Sequence, residues 1–65
     1  MKLTEKQFKV MAMLADGKRD DQIAESMMRT TDAVRATIYR AVQTLGAKTR
    51  CHAVAIYVKR YEPRN

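Results

Sequence analysis

Chain breakers are scarce in this sequence, and their positions restrict the folds that it can adopt. Glycine or proline occurs only at Gly17, Gly46 and Pro63 among 65 residues. No alternating apolar and polar run of useful length lies between them, so β-strands are not expected. Apolar residues instead recur at helical spacing in each segment. The sequence therefore predicts an all-α fold.

Four helices are predicted, and capping residues indicate where they begin. Thr4 and Gln7 have the spacing of a capping box at the start of the first helix. Asp20 and Asp21 are acidic residues that suit the positive end of the second helix. Thr30 or Thr31 can cap the third helix and Thr49 the fourth, which Pro63 should end. The predicted helices span about residues 4–16, 20–28, 31–45 and 49–61.

The length of the chain and its single cysteine limit how the fold can be stabilised. A chain of 65 residues is near the lower size limit for a domain with one core. Cys51 is the only cysteine, so no disulfide can reinforce that core, and a lone thiol fits a reducing compartment. No signal peptide or apolar run of roughly 20 residues is visible. We expect one soluble, stand-alone domain over residues 1–65, stabilised further by oligomerisation.

Basic residues are concentrated in the second half of the chain. The formal net charge is +6, yet residues 1–28 hold five basic and five acidic residues. Residues 29–65 hold eight basic and two acidic residues, so the whole excess lies there. This distribution suits a polyanion such as nucleic acid, although a solvated basic face without a partner has the same composition.

The third predicted helix has one apolar and one polar face. Its apolar residues cluster on one side: Val34, Ile38, Ala41, Val42 and Leu45. The other side can read DNA, because Arg bonds guanine, Gln bonds adenine and Tyr donates to a base or phosphate. The predicted base-reading residues are Arg35, Ala36, Tyr39, Arg40 and Gln43. Such side chains are ordinary on solvated helices, but a short helix, tight turn and longer basic-faced helix together favour a helix-turn-helix.

An ordered set of short motifs runs through most of the chain, from Leu3 to about Tyr57. Its members are Leu3-Thr4 with Gln7, Val10-Met11, Leu14-Ala15-Asp16-Gly17, Gln22-Ile23-Ala24, Ala33-Val34-Arg35 with Ile38, Leu45-Gly46-Ala47, and Arg50 with Ala53-Val54. This set resembles the LuxR/GerE-type (NarL-like) helix-turn-helix domain of bacterial response regulators and quorum-sensing receptors. The resemblance implies a four-helix domain that docks its third helix in the major groove and often pairs through its fourth.

The resemblance also implies roles for individual residues. It assigns base reading to Arg35, Ala36 and Tyr39. The prediction that Arg40 and Gln43 also read bases depends on helical periodicity alone. The resemblance assigns phosphate contacts to the cap Thr30 and to the position of Thr37. At position 44 this chain has Thr44 in place of the basic or His residue that family members often carry.

Other departures from the family pattern lie in the first two helices and the turn. Gln7 replaces the usual Glu, Arg19 stands where a capping Ser or Thr is common, and Arg29 stands where an apolar residue normally plugs the turn. We therefore expect phosphate binding to shift partly toward basic residues, including Arg40. The predicted phosphate contacts are Arg29, Thr30, Thr31, Thr37, Lys48 and Arg50.

The fourth predicted helix carries more apolar surface than a small core absorbs on one side. A symmetric dimer would bury this surface and place two reading helices about one DNA turn apart. The predicted interface residues are Val54, Tyr57, Val58 and Tyr61. The alternative is that these residues close the core of the monomer, as Ala53 and Ile56 should.

No catalytic or metal-binding constellation is visible. Cys51 and His52 are adjacent, but no further Cys or His could complete a metal site, so both are interpreted as structural or surface residues. No nucleophile with an evident base and no Gly-rich phosphate loop appears. The five methionines are expected to fill the core. We expect neither an enzyme nor a cofactor.

The sequence as a whole favours a transcription regulator that binds double-stranded DNA as a homodimer. The resemblance implies a cytoplasmic protein of a bacterium, or one encoded by a phage or plasmid. Signal input would come from its abundance, a partner or a longer parent polypeptide. The alternative hypothesis is a small interaction module that pairs through its fourth helix with a larger LuxR-type regulator and antagonises or modulates it.

Overall fold

The computed structural model describes residues 2–62 and contains four helices. Their bounds are α1 Glu5–Ala15, α2 Asp20–Met27, α3 Thr31–Thr44 and α4 Arg50–Tyr61. Strands are absent from this described part of the chain, so the all-α prediction is confirmed. Pro63, expected to end the fourth helix, lies outside the described residues.

Side-chain caps fix the start of three helices. Thr4 and Gln7 form the predicted capping box: the Thr4 hydroxyl accepts from the Gln7 N–H at 3.1 Å, and Gln7 Oε1 accepts from the Thr4 N–H at 3.2 Å. Thr30 rather than Thr31 caps α3, because its hydroxyl accepts from the Ala33 N–H at 3.1 Å. Thr49 caps α4 in the same way.

Left-handed residues end the first three helical segments. Gly17 and Gly46 have φ of +88° and +70°, a conformation that glycine adopts without a steric penalty. Met28 ends α2 with φ of +57° and is 90% exposed. The expectation that the methionines fill the core is therefore wrong for Met28, which lies exposed in the turn, and Met1 lies outside the described residues.

Helix α3 contributes to two hydrophobic clusters. The first lies between α1, α2 and α3: Val10, Ile23, Ala24, Val34 and Ile38. The second lies between α1, α3 and α4: Met11, Ala41, Leu45, Ala53 and Tyr57. Since α3 contacts both clusters along its apolar face, its position is set by the whole core.

An aromatic cluster joins α1 to α4. The Phe8 ring lies edge-on to Tyr57 and Tyr61, with centroid distances of 5.3 and 5.1 Å. Tyr57 is 1% exposed, and burial raises the pKa of its phenol to about 12. Because Tyr57 is inside the monomer, its assignment to a dimer interface is corrected: Tyr57 closes the core. Tyr61 is half-buried in the same cluster.

Candidate nucleic-acid interface

The polar face of α3 faces solvent. All five predicted base-reading residues are exposed: Arg35, Ala36, Tyr39, Arg40 and Gln43. Gln43 Nε2 donates to the Tyr39 hydroxyl at 3.2 Å, so these two side chains lie together on successive turns. Their row occupies the side of α3 opposite the two hydrophobic clusters. This exposed row is rich in hydrogen-bonding groups and is carried by a helix that the core holds firmly.

Thr30 and Thr31 differ at the start of α3. Thr30 is exposed, and its hydroxyl proton stays available to a phosphate oxygen while the oxygen caps the helix. Thr31 is half-buried in the first turn, where backbone N–H groups lack partners within the helix. Asp32 in the same turn is exposed, and its carboxylate would repel a phosphate. The helix start therefore offers donors beside one negative charge.

Thr37 does not fit the role that the resemblance implied. The side chain is buried at the edge of the core, and its hydroxyl donates to the Ala33 carbonyl at 3.0 Å within α3. Its position lies three residues after Val34, on the inner side of the helix. The prediction that Thr37 contacts a phosphate is therefore wrong, because Thr37 is an inner residue of α3.

Arg29 lies beside an apolar depression at the turn between α2 and α3. The depression is lined by Lys6, Val10, Met27, Arg29, Ala33, Val34 and Thr37. Arg29, which stands where the family pattern has an apolar residue, is exposed. Arg29 directly precedes Thr30, the residue that caps α3.

A groove with basic walls runs between α3 and the start of α4. It is lined by Arg35, Ile38, Tyr39, Val42, Lys48, Thr49 and Arg50. Lys48 is exposed, and its backbone N–H donates to His52 Nδ1 at 3.0 Å. Within residues 2–62, no carboxylate forms an ion pair with Arg29, Arg40 or Lys48. These three cations are available to an anionic ligand.

One carboxylate connects three helices next to this groove. Asp20 accepts from Arg50 Nη1 and Nη2 at 2.8 and 3.0 Å, and from Arg35 Nε at 3.3 Å. We call Asp20, Arg35 and Arg50 the Asp20 bridge. The hydrogen bonds from Arg50 are the main reason that the pKa of Asp20 lies below its usual value, although partial burial opposes them.

The sequence alone does not predict the Asp20 bridge. The acidic side chain of Asp20 indicates only a helix start, and its partners lie 15 and 30 residues away. No local spacing signals such contacts. Arg50, predicted to bind a phosphate, is instead engaged by Asp20.

Cys51 and His52 are exposed at the first turn of α4, as their interpretation as surface residues requires. The described part of the chain contains no group of three or more His, Cys, Asp or Glu side chains that could hold a metal ion. Among residues 2–62, no helix has the length and apolar character needed to span a bilayer.

The family model of the bacterial regulatory proteins of the luxR family, named GerE, matches residues 1–57. Since the match covers most of the chain, the protein belongs to the LuxR family and carries its helix-turn-helix DNA-binding domain. Membership indicates DNA-binding transcription regulation. Neither a curated protein nor a solved structure matches the chain with significant similarity.

Proposed function

We propose that the protein recognises specific sequences in double-stranded DNA by placing α3 in the major groove, and so regulates transcription. The observation that carries this proposal is the exposed row on α3, opposite a face packed into both hydrophobic clusters. An α-helix fits the major groove, where Arg35, Ala36 and Tyr39 would meet base edges. Arg40 and Gln43 continue the row. Such a regulator would act in the cytoplasm of a bacterium, from a chromosomal, phage or plasmid gene.

Phosphate contacts are proposed on both sides of the reading helix. Arg29, Thr30 and Thr31 lie at the start of α3, and Lys48 lies beyond its end. Their donors would bind one DNA strand on each side of the groove and set the register of α3. Arg50 would join them only by releasing part of its contact with Asp20.

A homodimer on a two-fold symmetric site is also proposed. Cys51, Val54, Ala55 and Val58 follow the spacing of one helical stripe on α4. Cys51 and Ala55 are exposed, and Val54 and Val58 are half-buried, so the stripe retains apolar surface outside the monomer core. Tyr61 lies at its edge. These residues support a contact between two copies of α4.

The proposal is tested by fluorescence anisotropy on duplexes selected from a random library, compared with scrambled duplexes across a salt series. We expect a preferred duplex, with affinity that falls steeply as salt rises. Arg35→Ala should lower the affinity for the preferred duplex by about tenfold, the loss of one base contact. Lys9→Ala is the matched control, because Lys9 lies on α1 with Glu5 at 3.8 Å.

The same measurements separate DNA reading from the alternative of a protein-interaction module. Without any duplex preferred over scrambled DNA, the proposed function would be rejected. An antagonist of a larger LuxR-type regulator would instead keep its activity in Arg35→Ala and lose it when the α4 stripe is changed.

A further inference from the structure

The Asp20 bridge leaves one edge of the Arg35 guanidinium open. Arg35 Nε donates to Asp20 at 3.3 Å. Its Nη1 is 3.9 Å from Asp32, an ion-pair distance beyond hydrogen-bond reach. A guanidinium has five donors in a rigid fork and can offer two of them to the O6 and N7 atoms of guanine. Because Nε is occupied, the edge formed by the two terminal nitrogens is the one that remains.

The carboxylate is itself held in place. Asp20 is the first residue of α2, its side chain is 15% exposed, and Arg50 binds both of its oxygens. The bidentate pairing with Arg50 restricts rotation of the carboxylate about its own axis. Arg35, whose side chain is 62% exposed, therefore has a fixed acceptor on a neighbouring helix.

We propose that Asp20 is a positioning residue for DNA recognition, which holds Arg35 so that its two terminal nitrogens face a guanine in the major groove. The inference rests on the proposed DNA-binding function. An arginine already restrained in its bound conformation loses less freedom when it meets the base, which favours the correct sequence. The same carboxylate offsets the positive charge of Arg35 and Arg50. Asp20 therefore weakens the attraction of the protein for the DNA backbone, whatever the base sequence.

These two effects have opposite signs, and Asp20→Asn separates them. The substitution removes one negative charge, so binding to a scrambled duplex should stay equal or become tighter. Binding to the preferred duplex should weaken by roughly fivefold or more, with loss of preference at one G·C pair. Arg35→Ala should lose the same preference. The double variant, with Asp20→Asn and Arg35→Ala together, should show no greater loss of preference than Arg35→Ala alone.

Asp21→Asn is the matched control for charge. Asp21 is the next residue of α2, and its carboxylate accepts from Arg19 at 3.2 Å rather than from α3 or α4. We expect Asp21→Asn to keep the base preference. Asp20→Glu is a second variant. It keeps a carboxylate that can pair with Arg50, so the fold should be retained. Its longer side chain should displace Arg35 and reduce preference at the same base pair without changing binding to scrambled DNA.

Three outcomes would overturn the inference. One is an equal change in affinity for both duplexes in Asp20→Asn and Asp21→Asn, because charge alone would explain it. Another is full base preference in both Asp20 variants while Arg35→Ala loses it. The third is a wild-type protein without any preferred duplex, which would overturn the proposed function as well.

Discussion

Met28 shows at the scale of one residue how a turn can be built against local preference. Its φ of +57° lies in the left-handed region, which costs a residue with a side chain about 1–2 kcal/mol. Its exposure of 90% means that little burial offsets this cost. Met28 therefore stabilises the folded state less than a residue that tolerates the left-handed conformation would at the same position of the turn.

Replacing Met28 should therefore stabilise the protein. We expect Met28→Asn to raise the free energy of unfolding by about 0.5–1 kcal/mol, because Asn tolerates the left-handed conformation. Urea denaturation followed by circular dichroism measures the change. Met27→Asn is the control: Met27 is half-buried in α2 and packs against the first hydrophobic cluster, so its replacement should destabilise. A Met28→Asn protein no more stable than wild type would contradict this account of the turn.

At the scale of helices, the Asp20 bridge links α2 to α3 and α4 through charge. The pKa of Asp20 is lower in the folded state than its ordinary value of 3.8. A lowered folded-state pKa contributes stability that is fully present above the unfolded value. This contribution is lost as the pH falls below about 3.8 and through the folded value.

Acid should therefore erase the difference between wild type and Asp20→Asn. At pH 7 we expect Asp20→Asn to be less stable by about 1 kcal/mol, since both arginines remain partly solvated. Near pH 2 the two proteins should approach equal stability. Urea denaturation at both pH values measures the two differences, with Asp21→Asn as the surface control. A stability difference that stays constant with pH would show that Asp20 does not act through its charge.

Local interactions explain which helical features the sequence could predict. Thr4 and Gln7 are three residues apart, so their capping box can be identified from spacing alone. The Asp20 bridge depends on how three helices pack, and spacing carries no such information. Tyr57 illustrates the same limit: the sequence shows an apolar fourth helix, but the packing of α4 against α1 and α3 decides that Tyr57 lies in the core.

The proposed assembly of two copies should depend on the outward stripe of α4. Val58→Glu would place a charge in the proposed contact, so we expect the dimer to dissociate at least tenfold more readily and binding to a two-fold symmetric duplex to weaken. Lys59→Glu is the control, because Lys59 is exposed beside the stripe. Sedimentation equilibrium with and without DNA measures the association. Unchanged association in Val58→Glu would exclude this face.

The division of α3 between an inner and an outer face also bears on how such a regulator could change its targets. Substitutions at Ala36, Tyr39, Arg40 and Gln43 touch neither hydrophobic cluster, so operator preference could drift while the folded scaffold is retained. Arg35 is the exception, because a new residue there would leave Asp20 with one partner fewer. Evolution of new binding sites, or their selection in the laboratory, should therefore proceed first through the four unbridged positions.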